Sequence, residues 1–296
     1  MEDKLKVLDE SLSYFFDKKV ILFIGSGISK IAGCYDWDTI IQKLLNDDCL
    51  FKDIGPKDFI ESKKQNNEKI QFLEERYNKA GKEKKFYGIL REAITADPEI
   101  YNQKYIPFIK SLKNMNPFPI ILTTNIDSCL EDSKKFDFER IYYEIDDFKK
   151  ENLVEDSIFH IHGYKEKFLS SLFSKKAYQR IYENNIFKNF VDYVFLKYCI
   201  IFIGYSFNDN ELRQLILNVR NERNVYKNYI LVPENEFSKA DIAMNRDLYN
   251  LYTIEYEKVE SFPEIFSSWI IRNFPAQRIE SSRSFAASSG RDVPEG

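Results

Sequence analysis

The stretch VILFIGSG, residues 20–27, runs from five consecutive apolar residues directly into Gly25, Ser26 and Gly27. A strand that is apolar on both faces is typical of a parallel sheet covered by helices. Glycines at the carboxyl end of such a strand let a ligand approach the backbone N–H groups closely, and the usual ligand there is a phosphate. A tight turn between a strand and a helix accounts for the same glycines, and this stretch alone favours neither interpretation.

Six further apolar stretches predict strands, and mostly helical patterns separate them. Helices are predicted over residues 175–197 and 210–223, the second with Asn208 or Asp209 as its N-cap. The alternation predicts an α/β fold with a Rossmann-like, mostly parallel, doubly wound sheet. The six stretches are PIILTTN (119–125), RIYYEI (140–145), SIFHIHG (157–163), CIIFIGYS (199–206), NYILVPE (228–234) and LYTIEYE (251–257).

Two segments depart from this alternation. Residues 38–118 are rich in Lys, Glu, Asn and Gln and carry apolar residues at helical spacing, so we predict a helical insertion there. Residues 279–296 are small and polar without periodicity, which is typical of a disordered tail or of vector-derived sequence, and we leave them out of the fold. Residues 1–278 are predicted to form one domain.

The composition narrows the functional classes. A formal net charge of -4 gives no global attraction to nucleic acid, so no direct nucleic-acid binding is predicted. No apolar run reaches the roughly 18 residues that span a bilayer, and the first residues lack the features of a signal peptide, so we predict a cytoplasmic protein without membrane contact. The 4 cysteines are scattered, with no C-x-x-C pair and no nearby histidine, so no metal site is predicted.

Four of the predicted strands end in small or chemically active residues: VILFI ends in GSG, PIILT in TNID, SIFHI in HG and CIIFI in GYS. Because the carboxyl ends of parallel strands line up along one edge of an open sheet, these ends are predicted to meet in one crevice. Lys30 stands where a dehydrogenase fingerprint needs its third glycine, and the chain lacks a G-x-x-x-x-G-K-S/T loop. A dinucleotide ligand remains compatible with this pattern, but hydride transfer is not indicated.

These strand ends resemble the motifs of the sirtuin family. GSGISKIAGCYDW (25–37) is similar to the family's G-A-G-x-S-x-x-x-G-I-P-D-F, TTNID (123–127) to T-Q-N-I-D, HG (162–163) to the catalytic histidine motif and GYS (204–206) to G-T-S. The motifs occur in the family's order. FIGYSFNDNEL (202–212) resembles the bacterial sirtuin-like effectors of anti-phage defence, which hydrolyse NAD.

The chain also departs from the sirtuin pattern. Sirtuin deacylases carry a four-cysteine zinc module between the histidine and G-T-S, whereas here only residues 163–203 lie between, with Cys199 alone. The family's Pro, Arg and Gln are replaced by Tyr35, Asp38 and Thr124. The resemblance therefore implies a zinc-independent enzyme and argues against recognition of acyl-lysine.

The resemblance implies that NAD is the substrate and assigns roles to single residues. Asn125 would position the ribose hydroxyls and the attacking water, Asp127 would bind the nicotinamide carboxamide, and His162 would be the general base. On the residues alone, an Asx turn explains Asn125 and Asp127, and a structural hydrogen bond explains His162. We interpret His160 as a buried, hydrogen-bonded histidine, with a partner of His162 as the alternative. The remaining predicted contacts to NAD are Gly25, Ser26, Gly27, Ser29, Asp36, Trp37, Thr124, Gly204 and Ser206.

From these residues we interpret the chain as a sirtuin-like NAD hydrolase that releases nicotinamide and ADP-ribose. The implied biology is NAD depletion in abortive-infection defence. Because unregulated hydrolysis would exhaust the cell's own NAD, we expect a homo-oligomer, a separate sensor or activator protein, or both, to control the activity. The alternatives are a sirtuin-type ADP-ribosyl or acyl transferase and a non-catalytic module that binds NAD or ADP-ribose.

Overall fold

The structure, a computed structural model, describes residues 4–131, 138, 140–165, 175–220 and 226–274. The predicted tail at 279–296 lies outside the described residues. Within the described ranges, no helix has both the length and the apolar character that crossing a membrane requires.

A single sheet of 7 strands organises the described chain, and all neighbouring strands are parallel. The strands are β1 Val20–Ile24, β2 Ile120–Thr123, β3 Arg140–Tyr142, β4 Ser157–His160, β5 Cys199–Ile203, β6 Asn228–Pro233 and β7 Leu251–Tyr256. Their order is β3-β4-β2-β1-β5-β6-β7, so the chain begins in the middle of the sheet and extends it on both sides. The predicted Rossmann-like α/β fold is confirmed, and each strand covers the apolar part of its predicted stretch.

Helices cover both faces of the sheet, which explains why β1 is apolar throughout. Leu22 and Ile24 pack into one hydrophobic layer, whereas Ile21 and Phe23 pack into the other. The α-helices are α1 Leu12–Phe16, α2 Ser26–Ile31, α3 Trp37–Leu45, α4 Asp48–Phe51, α5 Pro56–Ile60, α6 Asn66–Lys79, α7 Glu83–Ala93, α8 Pro98–Ile100, α9 Ile106–Leu112, α10 Lys175–Tyr182, α11 Asn185–Lys197, α12 Asn210–Arg220, α13 Lys239–Tyr249 and α14 Phe262–Asn273. Helical turns of the 3-10 type lie at Lys4–Ser11, Ile145–Asp147, Lys150–Asn152 and Val259–Ser261, and a turn of the π type lies at Tyr101–Tyr105.

The chain between β1 and β2 consists of helices and turns. We call residues 37–112, from α3 to α9, the helical segment. Part of it has a hydrophobic core of its own, in which Leu44, Leu73 and Tyr77 are fully buried. Ile126, just after β2, belongs to the same cluster, so the helical segment packs against the carboxyl edge of the sheet.

The predicted continuous helix at 175–197 is wrong, because the structure has two helices there, α10 and α11. The break lies at Asn184, whose Oδ1 accepts hydrogen bonds from the N–H groups of Ile186 at 2.8 Å and Phe187 at 3.4 Å. An asparagine that satisfies the first N–H groups of a helix in this way begins a new helix. The helix predicted over 210–223 is described as far as Arg220, and residues 221–223 lie outside the described part.

The register aligns the ends of the four strands that the sequence singled out. Ile24, the last residue of β1, lies beside Thr123 of β2 and Ile203 of β5. Thr123 in turn lies beside His160 of β4. The loops that follow these four strands therefore leave the sheet at the same level and on the same edge.

Candidate active site

A cleft of about 460 Å³ lies between this edge of the sheet and the helical segment. One wall comes from the loops after β1, β2, β4 and β5, and the other contains residues 63–67 of the helical segment. Eight of the predicted site residues line it together: Ser26, Ser29, Trp37, Thr124, Asn125, Asp127, His162 and Ser206. The other four, Gly25, Gly27, Asp36 and Gly204, are not among its lining residues.

The glycines hold two loops together instead of presenting N–H groups to a ligand. The N–H of Gly25 donates to the carbonyl of Ile203 at 2.9 Å, and that of Gly27 donates to the carbonyl of Gly204 at 2.8 Å. A Cβ added at Gly27 would lie 2.9 Å from the Cα of Gly204, so any side chain there meets backbone. Gly204 itself has a φ of +60°, in the left-handed region that favours glycine. For these two N–H groups, the structure therefore supports the interpretation as a tight turn.

Asp36 is the N-cap of α3. Its Oδ1 accepts hydrogen bonds from the backbone N–H of Thr39 at 2.9 Å and the Thr39 hydroxyl at 2.6 Å, and its Oδ2 pairs with Lys30 Nζ at 2.6 Å. Burial raises the pKa of Asp36, but the hydrogen bonds from Lys30 and Thr39 outweigh it and lower the pKa to about 2. Both oxygens thus have structural partners, and the geometry gives no support to the predicted contact with the ribose.

Asn125 is held by two hydrogen bonds that leave its oxygen without a partner. Its Nδ2 donates to the carbonyl of Gly25 at 3.0 Å and to Ser29 Oγ at 2.7 Å. Among the described residues, no group bonds to the buried Asn125 Oδ1. Because buried polar atoms are nearly always hydrogen-bonded, such an acceptor at a cleft indicates a place for a donor from a ligand or a water.

Asp127 continues the same network. Ser29 Oγ donates to Asp127 Oδ2 at 2.5 Å, so Ser29 links Asn125 to Asp127. Asp127 Oδ1 accepts from the N–H of Cys129 at 2.9 Å, which is the Asx turn that the residue types also allowed. A carboxylate has about four lone-pair sites, so these two bonds leave capacity for a ligand donor.

His162 lies in a second network, with Tyr182 and Asp209. Tyr182 donates its hydroxyl proton to Asp209 Oδ2 at 2.8 Å. Because a tyrosine hydroxyl has one proton, its contact of 2.9 Å with His162 Nε2 requires a proton on that nitrogen. Asp209 Oδ1 accepts from the N–H of Leu212 at 2.9 Å, so Asp209 is also the N-cap of α12.

The surroundings of His162 keep its ring neutral near pH 7. Burial lowers the pKa of His162 to about 4, and the nearby charge of Asp209 opposes this shift only in part. With Nε2 protonated, the ring's lone pair is on Nδ1. The resulting tautomer is a proton acceptor over most of the accessible pH range.

Asn125, Asp127 and His162 thus lie at one edge of a Rossmann-like sheet. Residues 119–256 match the family model of the SIR2-like domain. This SIR2-like region runs from the residue before β2 to the last residue of β7 and includes the three residues above, whereas β1 and the glycines after it lie outside. The match supports a sirtuin-like family and an NAD-related function. Comparison with curated proteins found no match.

His160 of the SIR2-like region is a structural histidine, as the sequence analysis favoured. It is 1% exposed, and its ring contacts the carbonyl of Asn125 at 2.8 Å through Nδ1 and Glu131 Oε1 at 2.5 Å through Nε2. Burial lowers the pKa of His160, but the charge and hydrogen bond of Glu131 and the bond to Asn125 raise it overall. Because both partners are acceptors, the ring carries two N–H groups and fixes the backbone at Asn125.

Sequence reasoning missed three residues of these networks. Asp209 was considered only as a helix cap, although it follows a strand end within the FIGYSFNDNEL stretch. Tyr182 comes from α10 and Glu131 from the loop after β2, and no pattern in the sequence connects either residue with a histidine.

Two of the cysteines that are scattered in the sequence lie close together beside the cleft. Cys34 Sγ and Cys129 Sγ are 3.7 Å apart, both are buried, and only Cys34 of the two lines the cleft. The contact with Cys34, burial and the charge of Asp127 raise the pKa of the Cys129 thiol well above its usual range. Two cysteines that are 95 positions apart in the sequence are therefore neighbours in the fold.

Proposed function

We propose that the chain is an NAD glycohydrolase, which cleaves the bond between nicotinamide and ribose and releases ADP-ribose. The observation that carries the proposal is the Asn125 carboxamide: Gly25 and Ser29 fix it, its oxygen bonds to no group among the described residues, and the residue lines the cleft. The reaction consumes NAD and water and produces nicotinamide, ADP-ribose and a proton. It therefore needs a group that orients water, a group that accepts a proton and a group that anchors the leaving amide.

Asn125 is the orienting group in this proposal. As the glycosidic bond breaks, its electron pair moves to the nicotinamide ring and positive charge develops at the ribose C1′. A water oxygen then forms the new bond to C1′. Asn125 Oδ1 accepts a hydrogen bond from this water or from a ribose hydroxyl, and the two bonds on Nδ2 prevent the amide from turning.

His162 is the proton acceptor. A general base has to be unprotonated before it accepts a proton, and burial keeps the imidazole of His162 in that form, although the lowered pKa also makes the ring a weaker base. Tyr182 and Asp209 hold the Nε2–H tautomer, so the proton from water or from a ribose hydroxyl goes to Nδ1.

Asp127 anchors the leaving group. A nicotinamide carboxamide offers N–H donors, and the carboxylate of Asp127 is a strong acceptor whose position is fixed by Ser29 and the Cys129 N–H. This contact orients the ring toward Asn125, since Ser29 bonds to both side chains.

The phosphates of NAD need another partner, because the N–H groups of Gly25 and Gly27 already bond to the carbonyls of Ile203 and Gly204. Lys63 and Lys64 of the helical segment line the opposite wall of the cleft and are exposed. Their positive charges make this wall the proposed site of the pyrophosphate.

We further propose that the enzyme acts in the cytoplasm as an NAD-depleting effector of anti-phage defence. The support is the resemblance of FIGYSFNDNEL to such effectors. Control then requires a homo-oligomer or a separate sensor or activator protein. Turnover measured over a range of protein concentrations, next to the mass in solution, checks this step, and full activity of a monomer without added factors contradicts it.

The test of the function is product analysis by mass spectrometry. The purified chain is incubated with NAD, with and without an acyl-lysine peptide, and NAD is also measured in cells that express wild type or Asn125→Ala. Free nicotinamide and ADP-ribose in equal amounts, with NAD loss in cells that depends on Asn125, are the expected result. An acylated or ADP-ribosylated product instead indicates a transferase. Retained binding without turnover in either setting, also under activating conditions, indicates a binding module.

A further inference from the structure

A compact group of soft and hard ligand atoms lies beside the cleft. The sulfurs of Cys34 and Cys129 are 3.7 Å apart, and a carboxylate oxygen of Asp127 lies within 4.8 Å of both. All three side chains are buried, and two of them, Cys34 and Asp127, line the cleft. A small ion can therefore reach the group from the cleft without unfolding of the chain.

The spacing of the sulfurs fits tetrahedral coordination. Zn²⁺ binds thiolates at about 2.3 Å, and two thiolates on one tetrahedral ion then lie about 3.8 Å apart. Two thiolates with one carboxylate are a donor set for a thiophilic ion, since Mg²⁺ and Ca²⁺ favour sites made of oxygen alone. We propose that Cys34, Cys129 and Asp127 bind one Zn²⁺ ion, with a water from the cleft as the fourth ligand.

The backbone already holds these side chains in place. The N–H of Cys34 donates to the carbonyl of Ser29 at 3.1 Å. The N–H of Cys129 donates to Asp127 Oδ1 at 2.9 Å, and the carbonyl of Cys129 accepts from the Tyr101 hydroxyl at 2.9 Å. Binding therefore requires small side-chain movements and the release of the two thiol protons to solvent.

Occupancy of this site changes the neighbouring network. Asp127 Oδ2 accepts the hydroxyl proton of Ser29, and Ser29 accepts from Asn125. A cation on Asp127 competes with Ser29 for this carboxylate and also blocks its contact with a carboxamide. We therefore expect Zn²⁺ to inhibit NAD hydrolysis, and this expectation rests on the proposed function. The binding of Zn²⁺ does not depend on the proposed function.

Cobalt provides a direct measurement that is independent of NAD. The full chain is treated with a chelator, kept reduced and titrated with Co²⁺, which reports thiolate ligands through a near-ultraviolet charge-transfer band. We expect a band that saturates at one ion per chain and disappears when Zn²⁺ is added. Cys34→Ser and Cys129→Ser should each weaken Co²⁺ binding by about 100-fold or more. This loss is larger than the loss of roughly 10- to 100-fold that is typical when a residue merely contacts a metal ligand.

Two other cysteines provide matched controls. Cys49→Ser removes an exposed thiol and Cys199→Ala removes a buried one away from the cleft, and both variants should keep the band. If a variant does not fold, X-ray absorption on the zinc-loaded native chain decides, with two sulfurs expected at about 2.3 Å from zinc. No cobalt band in the reduced native chain, or fewer than two sulfurs around zinc, overturns the proposal. Zinc binding without loss of NAD turnover leaves the site in place and overturns only the inhibition.

Discussion

At the residue scale, the site consists of two networks that meet at one cleft. In the first, Ser29 connects the amide of Asn125 to the carboxylate of Asp127. In the second, Tyr182 connects the ring of His162 to Asp209. Each network orients one reactive side chain by hydrogen bonds from neighbours that come from distant parts of the sequence. The proposed chemistry therefore depends on these supporting residues as well as on Asn125 and His162.

Removing the Asn125 amide should separate chemistry from binding. For Asn125→Ala we expect turnover to fall by about 10² to 10³, because an oriented polar contact to the reacting atoms is lost. The dissociation constant for NAD, measured by calorimetry, should change little. The variant should also lose about 1–3 kcal/mol of unfolding free energy, since Gly25 and Ser29 lose their partner.

The matched variant for Asn125 is Ser29→Ala. It keeps the Asn125 oxygen but removes one of the two bonds that orient it, so turnover should fall by only about tenfold. Wild-type turnover in Asn125→Ala, or an equal loss in both variants, contradicts the role given to the Asn125 oxygen.

Tyr182→Phe tests the tautomer of His162. The variant removes the hydroxyl that accepts from Nε2, so the proton can move to Nδ1 and the base is lost in part of the molecules. We expect kcat to fall by about tenfold with little change in KM. An unchanged kcat shows that Tyr182 does not set the tautomer.

His162 also makes stability depend on pH. Its pKa is lowered from 6.5 to about 4, so the folded state disfavours the charged ring. This contribution is present above about pH 6.5 and is lost as pH falls toward 4, because the unfolded chain then binds the extra proton. Urea unfolding at pH 7.5 and at pH 5 should show that this contribution to the unfolding free energy falls by no more than about 3 kcal/mol.

The comparison for this pH dependence is His162→Gln, which cannot titrate. His160, whose pKa is raised, has the opposite effect on the pH dependence of stability. Because both proteins contain His160, its effect cancels when their unfolding free energies are subtracted. If the wild type loses no more stability than His162→Gln between pH 7.5 and 5, the ring of His162 is not held neutral.

At the element scale, the decisive feature is the packing of the turn after β1 against the loop after β5. The N–H of Gly25 bonds to the carbonyl of Ile203, the last residue of β5, and the N–H of Gly27 bonds to the carbonyl of Gly204 in the loop. Gly204 also approaches Ile28 so closely that a Cβ at Gly204 would lie 2.7 Å from the Ile28 nitrogen. The helix α12 begins just beyond this loop at Asp209, which is both its N-cap and a partner of Tyr182. The loop after β5 therefore packs against the turn after β1 and also leads to the residue that, through Tyr182, orients His162.

Gly27→Ala should destabilise the fold. The new Cβ would lie 2.9 Å from backbone atoms of Gly204, and backbone yields less than a flexible side chain. We expect a loss of about 1–3 kcal/mol in unfolding free energy. Gly88→Ala is the control, because Gly88 lies inside α7 with no atom within 4 Å of a new Cβ. This control should gain up to about 1 kcal/mol, and equal effects in the two variants contradict the packing argument.

At the scale of the whole molecule, the cleft combines residues from two parts of the chain. The sheet edge carries Asn125 and His162, and the helical segment carries Lys63 and Lys64. Ile126 packs into the core of the helical segment, which couples the two walls. In the proposed function, NAD therefore lies between parts of the chain that are far apart in sequence.

Replacing both lysines should weaken NAD binding without changing the rate of the chemical step. For the Lys63→Ala, Lys64→Ala double variant we expect KM for NAD to rise by about tenfold or more, since charged hydrogen bonds contribute about 1.5–3 kcal/mol, while kcat stays the same. The effect should shrink as salt is added. Lys84→Ala, an exposed lysine away from the cleft, is the control. A similar rise in KM for the control contradicts a specific phosphate site.

The sequence by itself determined the sheet and eight of the residues that line the cleft. Five apolar residues in a row require burial on both faces, and the ends of parallel strands must lie on one edge, so Asn125 and His162 were predicted together. The tertiary structure decided what depends on contacts between distant residues. It showed that the Gly25 and Gly27 N–H groups bond to another loop, that Asp209 reaches His162 through Tyr182, and that Cys34 meets Cys129. Hydrogen-bond partners at such separations leave no periodic signal, because they follow from the packing of whole elements.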